Sequence, residues 1–573
     1  MKDMRHWWLV SLLVGIGLVL TLSTRHTEAQ QASALPVITG IILDRQGQPV
    51  TGADVTLSAT SGGKILAEAT TQPDGRYALL LPKEIPSTLV IHIERAHFES
   101  TDVEVDAAQI QILKSGESVD LPDVTLLRRV TLAFWVATFV FVAMLALIAT
   151  GRLHNTLAAL LGASLVFAVS YLGPTVAPDL FIFDFQGALG YIDWNVIFLI
   201  MGMMIVIAVV ERTGIFQWLA FMAYRLSGGR LWLLLPILML ITGVASAMLD
   251  NVTTMLLMTP ISVQIALAMS INPLALLMPE LFASNVVGIS TLIGTPTNIL
   301  IGSFGRISFN DFLVNLTPGV LLAMLGLILY SELAYRRDLR SEGKTGISPL
   351  LLEKLADRAR ISEPVHLAKA GVVGAAMIVL FVFGEHFNLL PAVTALMGAT
   401  ALLVWIQPDI EEMIEAVDWT TLVFFITLFV VVGAIQEVGL ISFIADAIGR
   451  LVAGNLLVSI LVIIWFSAIL STIIANIPFT AAMLPVVGYL TATVPGAQSK
   501  VLFYCLSVGS AMGGNGSLIG ASANMVTAGI AERAGHPITY AYFLKRGFPA
   551  LLITVSLATL WLLLHFLLLG KTG

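Results

Sequence analysis

From Val130 onward the chain is a succession of apolar segments, most of them long enough to cross a bilayer. Lipid supplies no hydrogen bonds, so a spanning segment must satisfy its own backbone as a helix or join a closed barrel. Helical spans need about 17–25 apolar residues and barrel strands only about 9–11. The segments fall near 130–149, 154–172, 194–211, 274–304, 316–335, 369–386, 390–406, 419–436, 501–529 and 549–569, which makes them helices. Two further apolar stretches cover 231–268 and 454–490. Hydrophobic residues make up 57% of the chain and charged ones 12%, against about 45–50% and 25% in soluble domains. A soluble enzyme is excluded, and the fold class is an all-α polytopic membrane protein with one small β region. The net charge of −7 is spread out, so no basic face exists for nucleic acid. Cys505, the single cysteine, lies in an apolar stretch, which excludes a disulfide framework and a thiolate metal site. No cofactor and no metal is read from the sequence.

The first 29 residues read as a signal peptide or a signal-anchor helix. A basic start, Met1 to His6, precedes an apolar run from Trp7 to Leu22. Residues 36–128 differ in composition from everything after them. Short runs such as Val37–Leu43 and Val55–Leu57 are separated by turn signals at Asp44–Gly47, Ser61–Gly63 and Pro73–Gly75, the spacing of an all-β sandwich. His92 and His97 are taken as strand residues rather than a metal pair. The pattern Gly40, Asp44, Gly47, Pro49, Gly52-Ala53, Val55, Leu57 and Asp74-Gly-Arg-Tyr77 resembles the carboxypeptidase regulatory-like (transthyretin-like) domain. That resemblance implies a structural or docking module without catalysis of its own.

The remainder is internally repeated. Asp193-Trp194 recurs as Asp418-Trp419 and Gly214 as Gly439. Ser246–Pro260 (SAMLDNVTTMLLMTP) recurs as Ser471–Pro485 (STIIANIPFTAAMLP), all offset by 225 residues. Leu292–Asn298 (LIGTPTN) recurs as Leu518–Asn524 (LIGASAN), offset by 226. Each copy, 130–335 and 369–573, contains five spans and one hairpin. An odd number of spans turns the second copy upside down, the inverted-repeat architecture of secondary transporters. Eight of the 30 basic residues lie between Arg336 and Lys369. The positive-inside rule makes the linker 336–368 cytoplasmic, and counting back places the β domain on the extracytoplasmic side of the cell membrane.

Twice in each repeat, helix-breaking and hydrogen-bonding residues interrupt apolar sequence. The first place holds Asp250, Asn251, Thr253 and Thr254, matched by Asn476, Pro478 and Thr480. The second holds Gly294, Thr295, Pro296, Thr297 and Asn298, matched by Gly520, Ser522 and Asn524. Irregular backbone at membrane depth must be buried in protein or line a cavity. In broken helices, N-terminal dipoles favour an anion and freed carbonyls a cation. We therefore read 231–268 and 454–490 as re-entrant hairpins with an asparagine at each tip. Two ordinary spans apiece is the alternative, but the polar cluster lies at the centre of each stretch. Lys and Arg are absent between Leu231 and Gly305 and between Leu451 and Gln498, so an anion would meet only dipoles and amides. Asp250, opposite Ala475, is the one acid of the tips, either an ion-binding group or a cap accepting from the Thr253 amide. Glu280 and Asn285 are further candidates for an ion pathway, with Ser284 beside them. Glu211 and Glu437 read as interfacial, and His536 and His565 as isolated. Gly513-Gly-Asn-Gly516 lacks a following Lys-Ser/Thr and is no nucleotide loop.

The run Ser246–Pro260, with Gly202-Met-Met204, Glu211-Arg-Thr-Gly214 and Tyr224–Arg230 before it, resembles the ion transporter superfamily. More narrowly it is similar to the arsenite permease/sodium–proton antiporter (NhaD-type) branch that includes the melanosomal P protein. The resemblance covers the chain after the β domain and implies a citrate-transporter-like domain. It also implies a homodimer, and a substrate and coupling-ion site enclosed by the two tips and two breaks. Sodium–dicarboxylate carriers of the superfamily carry Ser-Asn-Thr at each tip. Here Asp250-Asn251-Val252 and Ala475-Asn476-Ile477 stand instead, which argues against di- and tricarboxylates. The first break also departs from the branch, with Thr295 where an Asp would follow the glycine.

Together these features point to a secondary active transporter, not an enzyme. It is driven by a Na⁺ or H⁺ gradient because no ATPase motif is present. Sodium/proton antiport or transport of another small inorganic ion comes first. An arsenite or other anion permease and a sodium-coupled carboxylate symporter are alternatives within the class. Outside it stands a channel-like or sensory membrane protein whose β domain binds a partner. The lipid bilayer and a small ion are the expected partners.

Overall fold

Residues up to Arg129 and those from Val130 form two separate units. The computed structural model describes residues 36–340 and 359–568, apart from Gln46, Gln48 and Lys83. The signal-like segment 1–29 and positions 341–358 of the basic linker lie outside the described residues.

The first unit is built on two sheets. One joins β1 (Val37–Asp44) to β4 (Arg76–Leu80), β7 (Val119–Asp120) and β8 (Val124–Leu126). The other runs β3 (Ile65–Thr70), β2 (Asp54–Ser58), β5 (Val90–Glu94), β6 (Thr101–Glu104). Burial alternates along β1, residue by residue. This is how one sheet face fills a core while the other meets water. Ile38, Ile42, Val55, Leu57, Leu79, Ile91 and Ile93 form that core. His92 is a strand residue whose Nδ1 lies 2.6 Å from Asp102. His97 is not: it sits in a turn at φ 66°, after β5 has ended. Asp102 also accepts from Ser61 Oγ at 2.6 Å, and these two bonds hold its carboxyl below the usual range.

The second unit is helical and repeats itself. Its first half contains α2 (Leu132–Ala149), α3 (Asn155–Leu172), α4 (Trp194–Arg212), α5 (Ile215–Ser227), α6 (Leu231–Met248), α7 (Asn251–Ala268), α8 (Leu274–Val287), α9 (Pro296–Gly305) and α10 (Phe309–Ala334). The short helix α1 (Ala107–Lys114) belongs to the β unit. The second half follows the same order: α11 (Pro364–Phe383), α12 (Pro391–Ile406), α13 (Trp419–Glu437), α14 (Leu440–Val452), α15 (Leu456–Ser471), α16 (Asn476–Thr493), α17 (Val501–Gly513), α18 (Ser522–Arg533) and α19 (Tyr540–Leu563). Nine helices of the described residues are long and apolar enough to cross a membrane.

The repeated motifs turn out to be helix boundaries. Asp193 accepts from the amides of Asn195 and Val196, and Asp418 from that of Thr421, so the Asp-Trp pairs are N-caps of α4 and α13. Gly214 and Gly439 both adopt left-handed backbone, φ 77° and 92°, where α4 turns into α5 and α13 into α14. The helices α5 and α14 are not visible as apolar runs, because each carries a polar face, with Arg225 in one and Asp446 and Arg450 in the other. Both last helices start earlier than their apolar stretch. Ser308 with Asp311 forms a capping box for α10, and Thr539 caps α19, so polar first turns extend them by several residues.

Segments 274–304 and 501–529 are each two helices with a break, one at 288–295 and one at 514–521. The arms α6/α7 and α15/α16 are the two hairpins. The arms α6 and α7 are each long enough to span, but in both repeats the contacts place the tip against the break of its own repeat. Ser246 Oγ donates to Ser284 O at 3.0 Å, and Thr291 Oγ1 donates to Ala247 O. In the second repeat Ser471 Oγ donates to Ser510 O at 2.6 Å, and Ser517 Oγ to Thr472 O. The repeats also exchange contacts, α7 packing on α18 and α16 on α9.

Candidate functional site

Two kinds of side chain are used to hold the broken backbone. Asn298 sends its amide nitrogen to Ile289 O and Thr291 O, at 2.9 and 2.8 Å. Asn524 does the same to Gly514 O and Ser517 O, at 2.8 Å each. The backbone freed by each break is thus satisfied by an asparagine four residues past a glycine; Thr291 and Ser517 are equivalent acceptors, and the other acceptor is shifted by one residue between the repeats. Gly294 and Gly520 are required for a different reason. A Cβ on Gly294 would lie 2.8 Å from both Ser246 O and Ala247 Cα and collide with Gly288 O. On Gly520 it would lie 2.9 Å from Ser471 O and Gly514 O. Only glycine lets the tip approach the break this closely.

Asn285 connects the halves. Its carbonyl accepts from Asn251 Nδ2 at 2.9 Å, and its own Nδ2 donates to Asn515 Oδ1 at 2.9 Å and Asn524 Oδ1 at 3.1 Å. In the other direction Ser507 Oγ donates to Asn298 Oδ1 at 2.5 Å. Asn251, Asn285, Asn298, Asn515 and Asn524 are all buried. Asn285 of α8 therefore ties the first tip to the second break, and Ser507 of α17 is tied to the first break. Asn515 and Ser507 were not singled out from the sequence. Asn515 sits in a glycine-rich run that reads as loop, and no residue-type signal marks Ser507.

The two tips differ. Asp250 is half-buried and caps α7, with Oδ1 accepting from Thr253 N at 2.8 Å and Oδ2 from Thr253 Oγ1 at 2.7 Å. Thr295 caps α9 by accepting from Asn298 N at 3.2 Å and is bonded to Thr297 Oγ1 at 2.9 Å, with Pro296 in the first helical position. In the second repeat Ala475 and Ala521 occupy the capping positions, and neither α16 nor α18 has a side-chain cap. The Asn476 amide N–H donates to Gly520 O at 3.2 Å, and Thr480 Oγ1 donates to Asn476 O at 2.7 Å. Asn476 is only 4% exposed, and its side chain makes no hydrogen bond within the described residues. The partner that Asn251 finds in Asn285 is missing there, since Asn285 is matched by Ala511. Thr254 and Thr527 present buried hydroxyls without a partner. Ser522 and Pro478 lie in the first turns of α18 and α16.

Among the described residues, Lys and Arg lie only at the far ends of the site's helices. Arg533 ends α18, and Arg306 and Lys500 meet at the far end of α9, where Lys500 Nζ donates to Arg306 O at 2.6 Å. Ten residues of helix separate that point from the break, about 15 Å. Among the described residues no group of three His, Cys, Asp or Glu could hold a metal ion. Glu437 is buried and accepts from Tyr191 Oη, which ties α13 to the first repeat. His565 is not isolated as the sequence suggested. Its Nε2 lies 3.0 Å from Asn315 Oδ1, and its ring stacks on Trp561.

Comparison with known proteins agrees with this architecture. The citrate transporter family pattern matches residues 145–499, and the carboxypeptidase regulatory-like domain pattern matches 37–118. The chain is 36% identical over 437 residues to an uncharacterized transporter of Mycobacterium tuberculosis, covering 75% of this chain and 98% of that protein. It is 35% identical over 439 residues to a 46 kDa membrane protein of Mycobacterium leprae, covering 75% and 99%. The P protein of Homo sapiens is 31% identical over 513 residues, covering 76% of this chain and 60% of the P protein. The crystal structure of the Alcanivorax borkumensis YdaH transporter shares the fold at a TM-score of 0.50 and 13% identity, covering 74% of this chain and all of that one. This chain is a multi-pass membrane transporter that belongs to the citrate transporter family.

Proposed function

We propose that the transport is ion-coupled, with Asp250 as the group that binds the coupling Na⁺ or H⁺ and the second repeat as the seat of a small inorganic anion. The asymmetry of the caps carries this reading. Uncapped helix N-termini leave several N–H groups free and carry roughly half a positive charge, and such ends bind small anions. The first repeat closes both of its N-termini with Asp250 and Thr295, whereas in the second α16 and α18 have no side-chain cap, beside the unpartnered side-chain amide of Asn476. A citrate trianion would have to be held by dipoles and amides alone, so a singly charged anion fits better. Sodium/proton antiport at Asp250 without an anion is the second reading, favoured by its being the lone acid of the two tips.

Purified protein in proteoliposomes, with a pH dye inside, separates the two. Na⁺ gradients are imposed while chloride, arsenite, succinate and citrate are varied against an impermeant anion. A pH response that needs chloride or another small anion supports the first reading. One that persists with the impermeant anion supports antiport, and no response to Na⁺ or pH under any condition sinks ion coupling.

A further inference from the structure

Glu280 lies in the interior of α8 with no exposed surface. Its Oε2 accepts from Thr242 Oγ1 of α6 at 3.2 Å and from Ser262 Oγ of α7 at 2.9 Å. A single carboxyl therefore joins both arms of the first hairpin to the broken helix. Oε1 is equally buried and has no hydrogen-bond partner. Five residues, about 7.5 Å along a helix, separate this carboxyl from Asn285.

The second repeat shows that helix packing does not require it. In α17 the offset is 226, as the paired bonds to Ser284 O and Ser510 O establish, so Glu280 is matched by Leu506. Thr242 and Ser262 are matched at 225 by Ser467 and Val487. Ser467, facing no carboxyl, is left without a partner. A carboxyl with two hydroxyl donors has been built into one hairpin only. Among the described residues none of the charged groups on the elements packed against α8 bonds to it. Those groups are Asp311 and Glu332 of α10, Glu532 and Arg533 of α18, and Lys545 and Arg546 of α19. The thiol of Cys505 on α17 makes no bond to it either.

A buried oxygen without a partner leaves two ways to satisfy the group. Either Oε1 carries a proton, or the carboxylate takes a cation against Oε1, because an uncompensated buried charge is strongly destabilising. We propose that Glu280 is a second ion site, at which a proton on Oε1 exchanges for a monovalent cation, and that this exchange changes how firmly the hairpin arms are held to α8. The departing proton goes to water and the cation replaces it, so the charge of the site is conserved. This rests on the reading that transport is ion-coupled.

The test is infrared difference spectroscopy of the full chain in nanodiscs, with Na⁺, Li⁺ or K⁺ added, alongside the liposome pH assay. Wild type should show a protonated-carboxyl band that added cation removes. Glu280→Gln should lose the Glu280 component of this band, which Asp250→Asn should keep. The Gln side chain still accepts from Thr242 and Ser262, so a purely structural clip predicts an unaltered pH profile of transport, whereas an ion site predicts loss of the proton component. Thr242→Val should shift the pH at which the band disappears, which serves if the Gln variant does not fold. A band indifferent to all three cations, or a Gln variant with wild-type proton movement, overturns the proposal. A liposome assay silent in wild type would sink ion coupling alone, since the cation-sensitive band decides Glu280 independently.

Discussion

Asn285 is the residue that joins the tip of one repeat to the break of the other, since it bonds Asn251, Asn515 and Asn524 at once. Asn285→Ala would leave three buried amides short of a partner, and each unsatisfied group costs about 1–3 kcal/mol. The expected outcome is a clear loss of thermal stability together with loss of transport, read by a melting assay and by uptake on the same preparation. Unchanged melting would show that water replaces the side chain. Asp250→Asn keeps an acceptor for the Thr253 amide but cannot ionise. Transport by this variant should lose its Na⁺ dependence and its pH response, with melting close to wild type. A wild-type pH profile would reduce Asp250 to a cap. The identity of the polar residues was legible, because Asn and Thr have few reasons to interrupt apolar helices. Their partners were not, since each bond of Asn285 to the second repeat joins residues more than 200 positions apart.

At the scale of elements, the tip and the break of each repeat act as one piece. Adding a methyl at Gly294 forces Ser246 and Ala247 away from the break, and at Gly520 it forces Ser471 away. Gly294→Ala should be the more damaging, because its Cβ would make the closer contacts. Yield of folded protein and melting temperature, compared between the two variants, check the order. The two tip asparagines should also part company. Asn251→Leu breaks a bond to Asn285 and should lower stability as well as transport. Asn476→Leu breaks no side-chain bond and should abolish transport with melting little changed. Equal destabilisation by both would mean that Asn476 has a structural partner after all. Hairpins and broken spans were readable as a central polar cluster in apolar sequence. The amphipathic α5 and α14 were not, since a half-polar helix leaves no long apolar run.

For the whole molecule, the expectation that bears on transport direction is sidedness. If residues 36–128 are exported and the basic linker is cytoplasmic, cysteines introduced at Ser61 and Ser341 should react from opposite sides of intact cells. The native Cys505 is buried and should stay silent. Labelling of both from one side would contradict the span count on which the inversion rests.

Sequence alone determined the class of the protein, the β sandwich before the bundle, the repeat, and the four places where helices break. Each of these follows from local composition and period, which burial in lipid or in a sheet imposes residue by residue. Tertiary structure decided which halves meet: that α7 lies on α18 and α16 on α9, that one asparagine joins both repeats, and that Glu280 bridges two hairpin arms while Leu506 bridges nothing. Pairings of this kind depend on how two copies of a motif close around each other. A chain that repeats its motifs does not record, in either copy, which partner the other supplies.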